Sequence, residues 1–127
     1  MQENNLYEYA VIRVLPKVER EEFLNVGVIL LCKRLNFLKV LSQLDERKLI
    51  SMCEEVDCFQ IRENLESFEK ICRGDKDAGP IAQLDLPSRF RWLTAVRSSL
   101  IQTSRPHPGF SKDPEATLQR LFEELVL

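Results

Sequence analysis

The sequence predicts a single α+β domain over residues 1–127, on three observations. An early stretch rich in β-branched and aromatic residues alternates with period two. A middle stretch spaces its apolar residues at i, i+3, i+4 and i+7. The chain then closes on a capped amphipathic pattern. A length of 127 residues suits one domain, since a chain of that size buries roughly two thirds of the surface it exposes when unfolded. The expected architecture is a small antiparallel sheet, three N-terminal strands plus a later one, packed with amphipathic helices.

Leu6–Leu15 (LYEYAVIRVL) reads as the first strand, and because both of its faces are largely apolar it suits a central position. Pro16 ends it, having no N–H for a ladder. Leu24–Cys32 (LNVGVILLC) is the second strand, with Leu24, Val26, Val28, Leu30 and Cys32 expected on one face. Gly27 inside it marks a bulge or a close backbone approach. Lys33-Arg34-Leu35-Asn36 has hairpin-turn polarity, with Asn36 suited to a left-handed conformation, and Phe37–Leu41 returns as the third strand. Connections this short make the three strands antiparallel.

The period then changes. Leu49, Met52, Cys53 and Val56 form a helical stripe behind the capping residue Asp45. Asp57, with Gln60 three residues on, starts a second helix whose stripe is Cys58, Ile61, Leu65, Phe68 and Cys72, and Gly74 stops it. Asp75–Pro80 is a loop. Pro87 and Ser88 open a short helix with Phe90, Leu93 and Val96 inward, and from Arg97 the pattern turns to a strand that joins the sheet. Arg105–Ser111 (RPHPGFS) is expected to be irregular, because it holds two prolines and a glycine. Asp113-Pro114-Glu115 starts a last helix with Leu118, Leu121, Phe122 and Leu125 on its buried side.

Composition narrows the setting. The chain is 44% hydrophobic and 30% charged, ordinary for a globular protein. Its longest apolar run, Val26–Cys32, is far shorter than the roughly 20 residues a membrane helix needs. The N-terminus, Met1-Gln2-Glu3-Asn4-Asn5, has neither the positive region nor the apolar stretch of a secretion signal, so the expected location is cytoplasmic, with no membrane partner. Cys32, Cys53, Cys58 and Cys72 lack the converging spacing of a metal site, and the single histidine is remote from them, so they are expected to be reduced core thiols.

The informative irregularity is electrostatic. Leu86–Lys112 holds five Lys and Arg (Arg89, Arg91, Arg97, Arg105, Lys112) and no acid, leaving 13 of the 18 basic residues elsewhere against all 20 acids. Such asymmetry points to an anionic partner, and the arginine fork suits phosphate or carboxylate. Trp92 and Phe90 interleave with these arginines. A phosphate- or nucleic-acid-binding domain using segment 89–105 is therefore one reading. The bland reading is that these arginines brace the acidic helices at 45–77, and that Trp92 is core. A third reading, a hydrolase-like enzyme around His107 and Ser98, has less behind it. Nothing sets the mutual geometry of that pair, and no nucleophile-elbow glycine pattern flanks Ser98. The phosphate-loop and dinucleotide glycine patterns are also missing, so no cofactor is called for.

Three ordered stretches, Arg20–Leu30 (REEFLNVGVIL), Arg89–Ser98 (RFRWLTAVRS) and His107–Val126 (HPGFSKDPEATLQRLFEELV), resemble the bacterial domain-of-unknown-function family three thousand and thirty-seven. The similarity covers nearly the whole chain. It departs from the family pattern at Glu21 and at Val96, where a glycine and a proline are common. The resemblance carries no established activity. It implies a non-catalytic accessory or interaction protein whose partner is a HipA-like kinase of toxin–antitoxin type, with the arginine segment facing that kinase or its phosphate. The matching positions are Asn25, Gly27, Arg91, Trp92, Arg97, Ser98 and Gly109, and Arg105 and His107 complete the candidate ligand-binding set. Asn25, Arg91 and Arg97 are expected to converge on one polar patch, with Asn25 on the same strand face as Gly27.

Overall fold

The computed structural model describes residues 4–16, 22–95 and 100–127. Among these residues five strands form one antiparallel sheet, and four α-helices pack on it, an α+β architecture. The strands are β1 (Asn5–Val14), β2 (Leu24–Cys32), β3 (Phe37–Ser42), β4 (Ile101–Thr103) and β5 (His107–Ser111). The helices are α1 (Glu46–Met52), α2 (Cys58–Arg73), α3 (Leu86–Leu93) and α4 (Pro114–Leu125). β1 is central, as its two apolar faces require: β2 lies along one side and β3 beyond it. On the other side β4 pairs Ile12–Val14, and β5 pairs Asn5–Tyr9.

Local chemistry sets the helix ends. Asp45, Asp57 and Asp113 each accept a hydrogen bond from the backbone N–H three residues on, at Lys48, Gln60 and Ala116. The Gln60 side chain runs along the helix, its Nε2 donating to Asn64 Oδ1 at 2.9 Å. α3 begins earlier than Pro87, on Asp85, which accepts from the Ser88 N–H. Gly74 takes a left-handed φ of 76°, with its own N–H on Ile71 and the Asp75 N–H on Lys70, which satisfies two carbonyls of the last turn of α2. Asn36 takes the left-handed conformation expected of it, at φ 54°, closing the β2–β3 turn.

The sheet is covered on both sides. Ala10, Ile12, Val14, Val26, Ile29 and Leu31 face α1, α2 and α3, meeting Leu49, Ile61, Leu65, Cys72, Phe90 and Leu93. Tyr7, Val28, Leu30 and Cys32 face α4, meeting Leu118, Leu121 and Phe122. β2 therefore does not keep one alternation along its length. Ile12 opposes Gly27 but Arg13 opposes Asn25, so Val26 is an extra residue and the strand bulges there. The bulge corrects the expected face: Leu24 and Val26 point to the three-helix side, whereas Val28, Leu30 and Cys32 point to α4. A Cβ at Gly27 would lie 2.7 Å from the Leu41 carbonyl oxygen, so the close approach foreseen for that glycine is also present.

Arg105–Ser111 is not irregular throughout, because His107–Ser111 forms β5. Two features permit a strand there. β5 lies at the sheet edge, where a proline can sit with its missing N–H outward. Gly109 leaves room for the opposing Tyr7 ring, whose atoms would approach a Cβ at that position to 2.5 Å. β4 is the later strand expected after the short helix, and the part of that expectation on Val96–Ser99 lies outside the described residues.

All four cysteines are free thiols. Burial pushes the Cys72 thiol up to about 12, against the pull of Arg89 and Arg73. A raised thiol value penalises ionisation in the folded state alone. Its contribution to stability is thus complete below the unfolded thiol value and is lost as pH rises from about 9 toward about 12. Iodoacetamide at pH 8 should leave Cys72 unmodified in the folded protein, and denaturation should release all four thiols to the reagent. Rapid native labelling of Cys72 would show that its pocket opens. Among the described residues, no helix is long and apolar enough to cross a membrane.

Candidate functional site

α3 separates the arginines of the basic segment. Phe90 and Leu93 turn into the core, and Arg89, at i, i+4 from Leu93, turns with them. Arg89 is only 9% exposed. Its Nη1 donates to the Ala82 carbonyl at 3.5 Å, and its guanidinium crosses the end of α2 so closely that a Cβ at Gly74 would lie 2.1 Å from it. Arg89 therefore braces α2 against α3. Arg91 points outward, and its Nη2 donates to the Ser88 hydroxyl at 3.3 Å. Ser88 in turn holds the Asp85 carboxyl below the usual carboxylate value, first through its hydroxyl and then through its N–H, with Arg91 and Lys33 adding attraction. The two neighbours should respond differently to truncation. Arg91→Ala should change stability by about 0.5 kcal/mol or less. Arg89→Ala should lose on the order of 1–3 kcal/mol, from a charged hydrogen bond and lost packing. Equal effects in urea melts would contradict this division.

Arg91 lies on a cleft of about 220 Å³ between α3 and the β1–β2 pair. Leu31, Pro87, Phe90 and Pro106 supply apolar wall, and Lys33, Arg91 and Glu8 supply charge. Among the described residues, neither Lys33 nor Arg91 has a carboxylate within ion-pair distance. Leu6 also lines the cleft, and Phe110 opposes it across the β1–β5 ladder. These two large apolar side chains are 55% and 71% exposed.

The other sequence-predicted positions do not gather at this cleft. Asn25 lies across the sheet from it: the bulge sends its side chain to the α4 side, where Nδ2 donates to the Leu125 carbonyl at 3.1 Å. Asn25 and Gly27 consequently lie on opposite faces, a correction to the shared face expected. Of the expected Asn25–Arg91–Arg97 patch, the two described members are on different sides of the sheet, and Arg97 lies outside the described residues, as does Ser98. Gly27 serves strand packing. Trp92 follows Arg91 on α3 and is 37% exposed, so it is not the core residue that the bland reading made it. Arg105 is exposed, next to the cleft residue Pro106, and its carbonyl accepts the Ser104 hydroxyl. His107 opens β5 with its ring 5.3 Å from that of Tyr9 at an interplanar angle of 37°. Sequence reasoning missed Leu6, Glu8, Lys33, Pro106 and Phe110. The apolar–polar alternation of β1 contains Leu6 and Glu8, but Phe110 is legible as Leu6's neighbour only once β5 is known to be a strand.

The comparison with curated proteins and the comparison with solved structures returned no match. A family model described as "Protein of unknown function (DUF3037)" matches residues 9–126. That span takes in the central strand from Tyr9 onward, the cleft residues from Leu31 to Pro106 but not Leu6, Tyr7 or Glu8, and all but the last residue of the C-terminal segment, and the chain belongs to the DUF3037 family.

Proposed function

We propose that this chain is a cytoplasmic, non-catalytic accessory protein that binds a protein partner through the face of β1 and β5 beside α3. A HipA-like kinase of toxin–antitoxin type is the first partner to test. One observation carries the reading: Leu6, which lines an apolar-walled cleft, and Phe110, opposite it across the ladder, are both more than half exposed. Scattered surface apolar residues are ordinary, but adjoining ones at a concave surface favour an interaction site. The arginine segment supports a phosphate or nucleic-acid surface less well, since Arg89 is committed inside the fold.

Affinity purification from the native host, with the bound material identified, tests this. A stoichiometric protein retained by the parent and lost on Phe110→Ser, with the melt unchanged, is the expected result. A bound nucleotide or nucleic acid in place of protein would overturn it, as would a partner indifferent to Phe110→Ser and Leu6→Ser.

A further inference from the structure

Resting on that reading, we infer that the α3 cleft takes one bulky apolar side chain from a short acidic segment of the partner protein. Size argues for a single side chain. At about 220 Å³ the cleft falls below the about 300–1,000 Å³ of small-molecule pockets. It has room for one large side chain, against walls supplied by Leu31, Pro87, Phe90 and Pro106.

Charge argues for acid around that anchor. Lys33 and Arg91 line the cleft, and Arg105 stands exposed beside Pro106. The acids nearby are Glu8, within the cleft, and Asp85, whose carboxyl is engaged by Ser88 at the start of α3. The balance at the rim is positive, and oppositely charged rims raise the rate and selectivity of encounter.

The sheet edge argues against the alternative peptide mode. A segment adding itself as a further strand would pair with β5, where Pro108 lacks an N–H, and a proline at an edge is a device that blocks such pairing. A side chain inserted beside α3 needs no ladder. Leu6 and Phe110 then cover the flank of the bound segment.

Selection of a phage-displayed random peptide library on the intact protein tests the inference. The expected result is enrichment of sequences with one Leu, Ile, Phe or Trp flanked by Asp or Glu. A synthetic peptide of that kind should bind, weaken with added salt, and lose about tenfold or more in affinity on Arg91→Glu. Arg91 is exposed, so the variant should keep the parent melt, and a melt alongside each titration verifies this. Failure to enrich, enrichment of basic sequences, or binding that ignores Arg91→Glu and Leu6→Ser would each overturn the inference. Arg91→Glu introduced into the co-purification separates the two claims. A partner lost on Phe110→Ser but kept on Arg91→Glu would discard the acidic segment and leave the interaction reading standing. Absence of any protein partner would discard the interaction reading itself.

Discussion

Truncation of the chain before Asp113 should abolish the cooperative melt. The cut removes Leu118, Leu121 and Phe122, all buried, and uncovers Tyr7, Val28, Leu30 and Cys32 beneath them. Shortening one such side chain to alanine typically costs about 2–5 kcal/mol. Three together reach or exceed the roughly 5–15 kcal/mol that holds a typical domain. Polar attachments add little to this. The Lys39–Glu115 pair is exposed on both members, and surface pairs contribute about 0–1 kcal/mol. Leu118→Ala alone, fully buried, should lower stability by about 2–5 kcal/mol with the fold retained. Thermal melts followed by circular dichroism read both. A truncated chain that melts cooperatively near the parent temperature would show α4 to be an appendage and the sheet to be stable with one face bare.

Much of this architecture was legible because it rests on local rules. Asp45, Asp57 and Asp113 cap helices through bonds to a backbone three residues away, and Gly74 and Asn36 take conformations that few other residues tolerate. The stripes of α2 and α4 were readable for the same reason, since periodicity records which side must leave water. What could not be read depends on partners distant in sequence. The prolines of Arg105–Ser111 forbid a central strand but not an edge strand, and only the position beside Tyr7 and Tyr9 decides between these. The direction of Asn25 depends on one inserted residue in β2, which no alternation pattern reveals. At the site, Arg89 and Arg91 look equivalent as charges. Their difference follows from helical phase, which places Arg89 beside Leu93 and Arg91 away from it. The polar patch failed as a grouping because shared membership of family-like motifs says nothing about which side of a sheet a residue occupies.

Substitution at Gly27 should then be the most damaging single change on β2. A Cβ there would stand 2.7 Å from the Leu41 carbonyl oxygen, 3.0 Å from the Ser42 Cβ and 3.2 Å from the Ile12 Cδ1. The nearest of these is backbone held in the β2–β3 ladder, so it cannot swing aside as a side-chain tip could. Gly27→Ala should therefore destabilise by about 1–3 kcal/mol, and Gly27→Val by more, because overpacking forces neighbouring backbone to shift. Gly79→Ala is the matched control. Its φ of 89° brings strain, but nothing lies within 4 Å of the added atom, so its cost should stay near about 1 kcal/mol. Deleting Val26 tests the same bulge from the other direction. Removing the extra residue leaves Gly27 opposite Ile12 and Asn25 opposite Arg13 in plain alternation, so Asn25 stays on the α4 side and Leu24 on the three-helix side, and the cost is the loss of the fully buried Val26 side chain from the three-helix core. The bond from Asn25 to the Leu125 carbonyl should survive the deletion. Urea denaturation of the four variants should rank Val26 deletion and Gly27→Val below Gly27→Ala, with Gly79→Ala closest to the parent. Should Gly27→Ala match the parent instead, β2 and β3 part easily at the bulge, and the close approach there is not what fixes the register.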